Sequence, residues 1–151
     1  NNQLIEVFKF RSMYHHHSDA NAEQQTTRGD ARITRIGRFI RRTSLDELPQ
    51  LFNVLLGNMS MVGPRPHATA TKAEGILFED AVKEYTSRHR VKPGITGWAQ
   101  VKGYRGETDT LEKIEERVEY DLDYRERWSV WFDLYILLRT FPAVLFSKEA
   151  Y

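Results

Sequence analysis

Along the first ten residues, Leu4, Glu6, Phe8 and Phe10 alternate with Ile5, Val7 and Lys9. A period of two in branched and aromatic side chains predicts a strand over 4–10. The next stretch, SMYHHHSDANAEQQTTRGD, is polar and unpatterned and predicts a mobile surface loop. In ARITRIGRFIRR the period becomes helical. Arg32, Arg35, Arg38 and Arg42 fall on one face and Ile33, Ile36, Phe39 and Ile40 on another, a short basic amphipathic helix that Gly37 weakens. After Ser44, the residues Leu48, Leu51, Phe52 and Leu55 follow the i, i+3, i+4, i+7 pattern of a second helix, which should stop near Gly57. SMVGPRPH then predicts a stiff extended loop, because prolines on both sides of Arg65 restrict the backbone and exclude the helical region before each.

In the second half a longer helix is expected over 69–90, with Glu74, Gly75 and Asp80 blurring its limits. Pro93-Gly94 marks a turn, and the branched and aromatic residues from Ile95 to Val101 predict a second strand or hairpin arm. Glu107 to Arg127 is charged and helical in composition, and 128–146 is the most apolar stretch of the chain. No internal repeat or low-complexity linker divides these elements. The pattern predicts one mostly helical α+β domain over 1–151, with a small antiparallel sheet or hairpin.

Length agrees, since 151 residues suffice for one proper core. The net charge of +1 says nothing about partners, but its distribution is uneven. Six arginines stand against one acid between Arg28 and Arg42, and nine acids against four bases between Glu107 and Arg127. An electrostatic site would therefore be local. The absence of cysteine excludes disulfides, thiolate metal sites and a cysteine nucleophile. His15, His16 and His17 could bind a metal, but three successive imidazoles cannot converge on one ion from regular structure. The chain opens without an initiator methionine on what reads as a strand interior, the expectation for a piece of a longer protein. No window of about 20 apolar residues predicts a bilayer span.

The concentrated chemistry lies in RRTSLDELPQLF, residues 41 to 52. Ser44-Leu45-Asp46-Glu47 has the spacing of a capping box, in which Ser44 accepts from the Glu47 N–H and Glu47 reaches back to Ser44. That arrangement accounts for both acids without any function. Pro49 complicates it, because its missing N–H leaves the Leu45 carbonyl without a helical donor, so the first turn should be irregular. Arg41 and Arg42 precede Asp46 closely, and neighbouring cations and a helix N-terminus both favour an ionised carboxylate. An ionised carboxylate is a possible nucleophile, and arginines with backbone N–H groups can gather an anionic phosphate. Two carboxylates beside phosphate oxygens also provide the hard ligands that Mg²⁺ prefers. Spacing alone thus leaves open a helix cap and a phosphoryl-transfer site.

Taken together, KFRSM, RFIRRTSLDELPQLFNVLLGNMSMVGPRP, VKPGITGWAQVKGYRGET and WSVWFDLYILLRT resemble one family, the bacterial polyprenyl-phosphate phosphoglycosyltransferases. These are monotopic membrane enzymes that begin exopolysaccharide, O-antigen and glycoprotein-glycan assembly. The resemblance runs from about Phe8 to Thr140. It implies the catalytic domain of that fold, with interfacial amphipathic helices, and transfer of a sugar 1-phosphate from a UDP-sugar to undecaprenyl phosphate. By resemblance, Asp46 matches the nucleophile that forms an aspartyl-phosphosugar intermediate, and Glu47 its metal-associated partner. Arg41, Arg42, Arg65, Arg105 and Asp121 match further polar residues of the site, and the implied cofactor is Mg²⁺, held by Asp46 and Glu47. GYRGETDT resembles the branch that uses UDP-glucose. Members carry an N-terminal membrane-dipping helix that this sequence lacks, which implies a truncated catalytic domain. Asn58 stands where many relatives have Asp, and Lys102 where many have Asn.

The same resemblance implies a place at the cytoplasmic face of the bacterial inner membrane. Residues 128–146 have the tryptophans, tyrosine and arginine of an interfacial helix, although a core helix would carry the same stripe. Two other readings follow from the residues. Truncation allows a catalytically inactive membrane-surface domain. The arginine stripe from Arg32 to Arg42 would suit nucleic acid, against which stand the acidic 107–127 segment and the lack of a nucleic-acid motif.

Overall fold

The parallel pair of strands beneath the site closes only because two glycines meet there. In the computed structural model, which describes residues 4–15, 26, 29–66, 72–73, 76–77, 85–104 and 110–146, β1 (Ser60–Val62) pairs with β4 (Gly94–Thr96) in register Ser60 to Gly94 and Val62 to Thr96. A Cβ on Gly94 would strike the Gly63 backbone, and one on Gly63 would strike the Lys92 carbonyl. Among the strands of the described residues, the expected antiparallel arrangement occurs between β2 (Lys72–Ala73) and β3 (Ile76–Leu77), two residues each. The pair that carries the site is parallel because the chain crosses over through 63–93 before returning beside β1, a connection no tight hairpin makes.

Helix α1 (Arg35–Arg42) forms where the arginine spacing placed it. Thr34 caps it, its side chain accepting from the Gly37 N–H at 2.8 Å, and Arg41 and Arg42 fall in the last turn, where cations suit the helix dipole. Gly37 is required here, because the Ser12 carbonyl occupies the place of its Cβ. The helix expected after Ser44 is split. A 3₁₀ turn, Leu45–Glu47, precedes α2 (Gln50–Leu55), with Pro49 at the N-cap of α2 and Gly57 at φ +79° ending it.

No strand forms over 4–10. The segment is instead held by a side chain, with Asn53 Nδ2 donating to the Glu6 carbonyl at 2.7 Å and Asn53 Oδ1 accepting from the Phe8 N–H at 3.0 Å. One buried amide thereby supplies the two bonds a parallel strand would supply to residues i−1 and i+1. The nearest regular pairing is an isolated antiparallel bridge between Met13 and Ile33.

The helix expected over 69–90 is also absent from the described residues there, which form β2, β3 and a 3₁₀ helix, Tyr85–Arg90. Gly75 lies in that stretch and costs an α-helix about 1 kcal/mol relative to alanine. The strand expected over 95–101 stops at Thr96, and Gly97 opens α3 (Trp98–Val101). Helix α4 (Leu111–Arg127) is capped by Thr110, and extended backbone at Trp128 separates it from α5 (Val130–Phe146).

The main core packs Val62 of β1, Trp98 of α3, Tyr124 of α4 and Ile136 of α5 together. A second cluster joins Tyr85 to Ile114 and Val118 of α4. The apolar stripe of α2 lies outside both. Gln50 and Asn53 are its buried residues, while Leu51, Phe52 and Leu55 face outward. Ile36 and Phe39 of α1 and Trp131, Leu138 and Phe141 of α5 are exposed as well. No helix among the described residues is long and apolar enough to cross a membrane.

Candidate active site

The site is assembled from three segments that converge on the 3₁₀ turn. Ser44 enters it with φ +59°, the left-handed region, and its carbonyl accepts the Glu47 N–H at 3.1 Å. The capping box is therefore not formed. The Ser44 side chain caps nothing, and its hydroxyl is buried without a partner. The physical reason is Pro49, whose missing N–H disfavours an α-helix starting at Leu45 and leaves a tighter turn whose left-handed first residue makes no side-chain cap bond.

The 4–10 segment crosses this turn, where the Phe10 N–H donates to the Asp46 carbonyl at 2.9 Å. That contact brings in Lys9, whose Nζ donates to Glu47 Oε1 at 3.1 Å. The loop after β1 brings in Arg65. Its Nη1 donates to Glu47 Oε2 at 3.1 Å and its Nη2 donates to Oε1, the two-pronged grip that a guanidinium makes on a carboxylate. Asp46 and Glu47 are both buried. Among the described residues no donor reaches the Asp46 carboxylate.

This asymmetry separates the two acids electrostatically. Burial opposes the charge on Glu47, but Arg65 and Lys9 outweigh it and hold the carboxyl well below the usual range. Burial pushes Asp46 up, and the neighbouring Glu47 charge pushes it further, against the pull of Lys9, Arg41 and Arg65. The expected depression of Asp46 by its arginines is thus reversed. Arg65 engages Glu47 directly, Arg41 Nε donates to Ser12 Oγ at 2.7 Å, and Arg42 is exposed on α1.

Of the residues singled out from sequence, the structure brings Asp46, Glu47 and Arg65 together, with Arg41 near enough to act on Asp46 through its charge. Arg105 lies outside the described residues. Asp121 is in the interior of α4, 2 % exposed, where its Oδ2 lies 2.7 Å from Arg88 Nη2. Arg117, one turn earlier on α4, is 3 % exposed and is lowered to about 9 by burial and by the Arg88 charge, which outweigh Asp121. Lys9 was missed because a period-two reading treats it as the polar member of a strand; KFRSM was its only signal. Arg88 and Asn53 gave no pattern signal.

No group of three or more acidic or histidine side chains able to hold a metal occurs among the described residues. Mg²⁺ does not need one, because it is commonly held by one or two carboxylates with the remaining positions filled by phosphate and water. The Asp46 carboxylate, which no described donor reaches, fits that donor set, and Glu47 Oε2, with one donor, keeps a free lone pair, whereas Oε1 already accepts from both Lys9 and Arg65.

The profile of the family described as bacterial sugar transferase matches residues 1–147. An undecaprenyl-phosphate glucose phosphotransferase of Komagataeibacter xylinus is 56% identical over 151 residues, all of this chain and 28% of that protein. A UDP-glucose:undecaprenyl-phosphate glucose-1-phosphate transferase of Escherichia coli K12 is 54% identical over 147 residues, 97% of this chain and 31% of its own length. A UDP-N-acetylgalactosamine-undecaprenyl-phosphate N-acetylgalactosaminephosphotransferase of Aeromonas hydrophila is 39% identical over 145 residues, 95% of this chain and 33% of that one. The chain spans about a third of the length of these relatives.

Proposed function

The chain belongs to the bacterial sugar transferase family, and we propose that within it the domain transfers glucose 1-phosphate from UDP-glucose to undecaprenyl phosphate through a covalent intermediate on Asp46. The observation that carries this reading is the division between the two carboxylates. Glu47 is fixed and charged by Arg65 and Lys9, whereas Asp46 is pinned by its backbone while no donor among the described residues reaches its carboxylate. A nucleophile must be positioned without having its lone pairs occupied. The choice of glucose rests on the two reported relatives above 50% identity, one named a glucose phosphotransferase and the other a UDP-glucose enzyme; the relative named for an N-acetylgalactosamine donor is at 39%.

In the first half-reaction an Asp46 oxygen attacks the β-phosphorus of UDP-glucose. The bond from that phosphorus to the bridging oxygen breaks, and UMP leaves with the electron pair. In the second, a phosphate oxygen of undecaprenyl phosphate attacks the same phosphorus. The acyl phosphate bond breaks, giving undecaprenyl-diphosphoglucose and regenerating the carboxylate. Arg65 and Lys9 keep Glu47 ionised, and their positive charge beside the dyad favours an anionic substrate. Asp46 and Glu47 would hold Mg²⁺, which neutralises phosphate charge that would otherwise repel an anionic nucleophile.

The outward apolar faces support a second part of the reading, placement at the cytoplasmic surface of the inner membrane. Leu48, Leu51, Phe52 and Leu55 directly follow the dyad in sequence and are exposed, as are Ile36, Phe39 and Trp131. An exposed apolar surface of this extent suits a lipid interface and a polyprenyl acceptor. The test is incubation of the intact protein with labelled UDP-glucose and Mg²⁺, without acceptor, followed by mass analysis of the peptide containing Asp46. A hexose-phosphate adduct on Asp46, with one UMP released per adduct, is expected, and Asp46→Asn should abolish both. Adduct and UMP release persisting in Asp46→Asn would overturn the assignment.

A further inference from the structure

Arg65 lies between two prolines, so its loop can donate little to the surrounding structure. Two acceptors hold it. The Pro64 carbonyl receives the Gly94 N–H at 3.0 Å, and the Arg65 carbonyl receives Arg88 Nη2 at 2.7 Å. With φ of Pro64 and Pro66 restricted by their rings, those two bonds fix the peptide planes on either side of Arg65, and with them the direction in which its side chain leaves.

Arg88 is itself 1 % exposed, its guanidinium 5.1 Å from the centroid of the Tyr85 ring and 2.7 Å from Asp121. A buried ion pair contributes little net stability compared with an apolar pair of similar volume. Packing therefore does not account for a charged group here. Donation to a backbone carbonyl does, since no apolar side chain could perform it.

We propose that Arg88, neutralised by Asp121, is a positioning residue for Arg65 and through it for Glu47. The bonds described for it go to the Arg65 carbonyl and to Asp121, not to a dyad carboxylate. The connection runs from Asp121 of α4 to Arg88, to the Arg65 backbone, and through the Arg65 side chain to Glu47. Asp121 is shared with Arg117, which burial leaves in need of the same counter-charge. Removing Arg88 leaves Asp121 with Arg117 as its remaining cationic neighbour on α4.

The inference rests on the proposed function for its kinetic test, while a second readout is independent of it. In the intact protein, Arg88→Met, Arg65→Met and the double variant are compared for release of UMP from UDP-glucose in the absence of acceptor. Each single variant is expected to lose at least tenfold, and the double variant to lose no more than Arg65→Met alone, within about threefold. Multiplicative losses would overturn the proposal. Hydrogen exchange of the Gly94 amide, which bonds the Pro64 carbonyl, should accelerate at least tenfold in Arg88→Met, with the Ile114 and Val118 amides unchanged. Unchanged Gly94 exchange would overturn it, whether or not the protein turns over UDP-glucose. Arg88→Lys, which keeps a cation beside Asp121 but loses the forked donor, serves the same comparisons if Arg88→Met fails to fold, and wild-type behaviour of that variant in both readouts would equally overturn it.

Discussion

Asp46 and Glu47 are adjacent in sequence and equally buried, 8 % exposed each, yet Arg65 and Lys9 grip Glu47 while no described donor reaches Asp46. Burial alone would raise both carboxyls. What separates them is the direction of approach. Arg65 arrives from the loop after β1 and Lys9 from the segment tied down by Asn53, and both meet Glu47 first. One acid becomes a fixed charge, and the other is left as a group whose ionised form is costly to the fold.

That cost makes Asp46→Asn a stabilising substitution. The folded Asp46 carboxyl is raised above its unfolded value, so its ionised form destabilises the fold at pH above the folded pKa. The penalty is relieved as pH falls toward the unfolded value of about 3.9. Without divalent cation, Asp46→Asn should therefore melt a few degrees above wild type at pH 7, with the difference disappearing near pH 4. Glu47→Gln should behave oppositely. Its carboxyl is depressed, so it contributes stability above its unfolded value, of about 4.3, that is lost as pH falls through the folded pKa. Thermal melts of Asp46→Asn across pH 4 to 7, and of Glu47→Gln at pH 7 and at pH values below 4, check this, and a lower melting temperature for Asp46→Asn at pH 7 would contradict the assignment of charge.

Ser44 offers a test of the turn. If its side chain capped a helix, Ser44→Ala would cost about 1 kcal/mol. The structure places the hydroxyl buried and unpartnered, so its removal should be neutral or stabilising. The left-handed backbone leads to a second expectation, that a β-branched Ser44→Val loses about 1–3 kcal/mol while Ser44→Gly does not. Denaturant unfolding of the three variants ranks them. A clear loss in Ser44→Ala alone would restore the capping box.

How much of this was legible in sequence depended on which interaction decided each element. Arginine spacing placed α1, charged and apolar composition placed α4 and α5, and Pro49 announced the irregular turn. The 4–10 segment misled, because its alternation fits a strand whose partner turned out to be the Asn53 side chain. Trp98 to Val101 also misled, since its branched and aromatic residues became a helical turn once Gly97 had packed against Gly63. The site followed the same division. Asp46, Glu47 and Arg65 stand in recognisable motifs, but the Glu47 grip by Lys9 and the support of Arg65 by Arg88 span 38 and 23 residues, respectively. No spacing rule reaches so far. The spacing that predicted a helix after Ser44 did not say which way its stripe faces: α2 buries its polar Gln50 and Asn53 and leaves the apolar stripe outside, because Asn53 is needed inward to hold residues 6 and 8.

The outward apolar stripe of α2 gives the proposed membrane placement a direct test. Phe52 is 64 % exposed and Trp131 is 81 % exposed, so neither contributes materially to the core, and Phe52→Glu and Trp131→Glu should leave the melting temperature close to wild type. Burying a large apolar side chain in a lipid interface is worth about 1.5–3 kcal/mol. Each substitution should consequently reduce partitioning of the intact protein onto vesicles of phosphatidylethanolamine and phosphatidylglycerol by about tenfold or more. Polyprenyl phosphate turnover in those vesicles should fall in parallel, whereas UMP release from soluble UDP-glucose without acceptor should be retained, because the dyad and its cations are untouched. Wild-type partitioning by both variants would mean that the outward stripe faces something other than lipid.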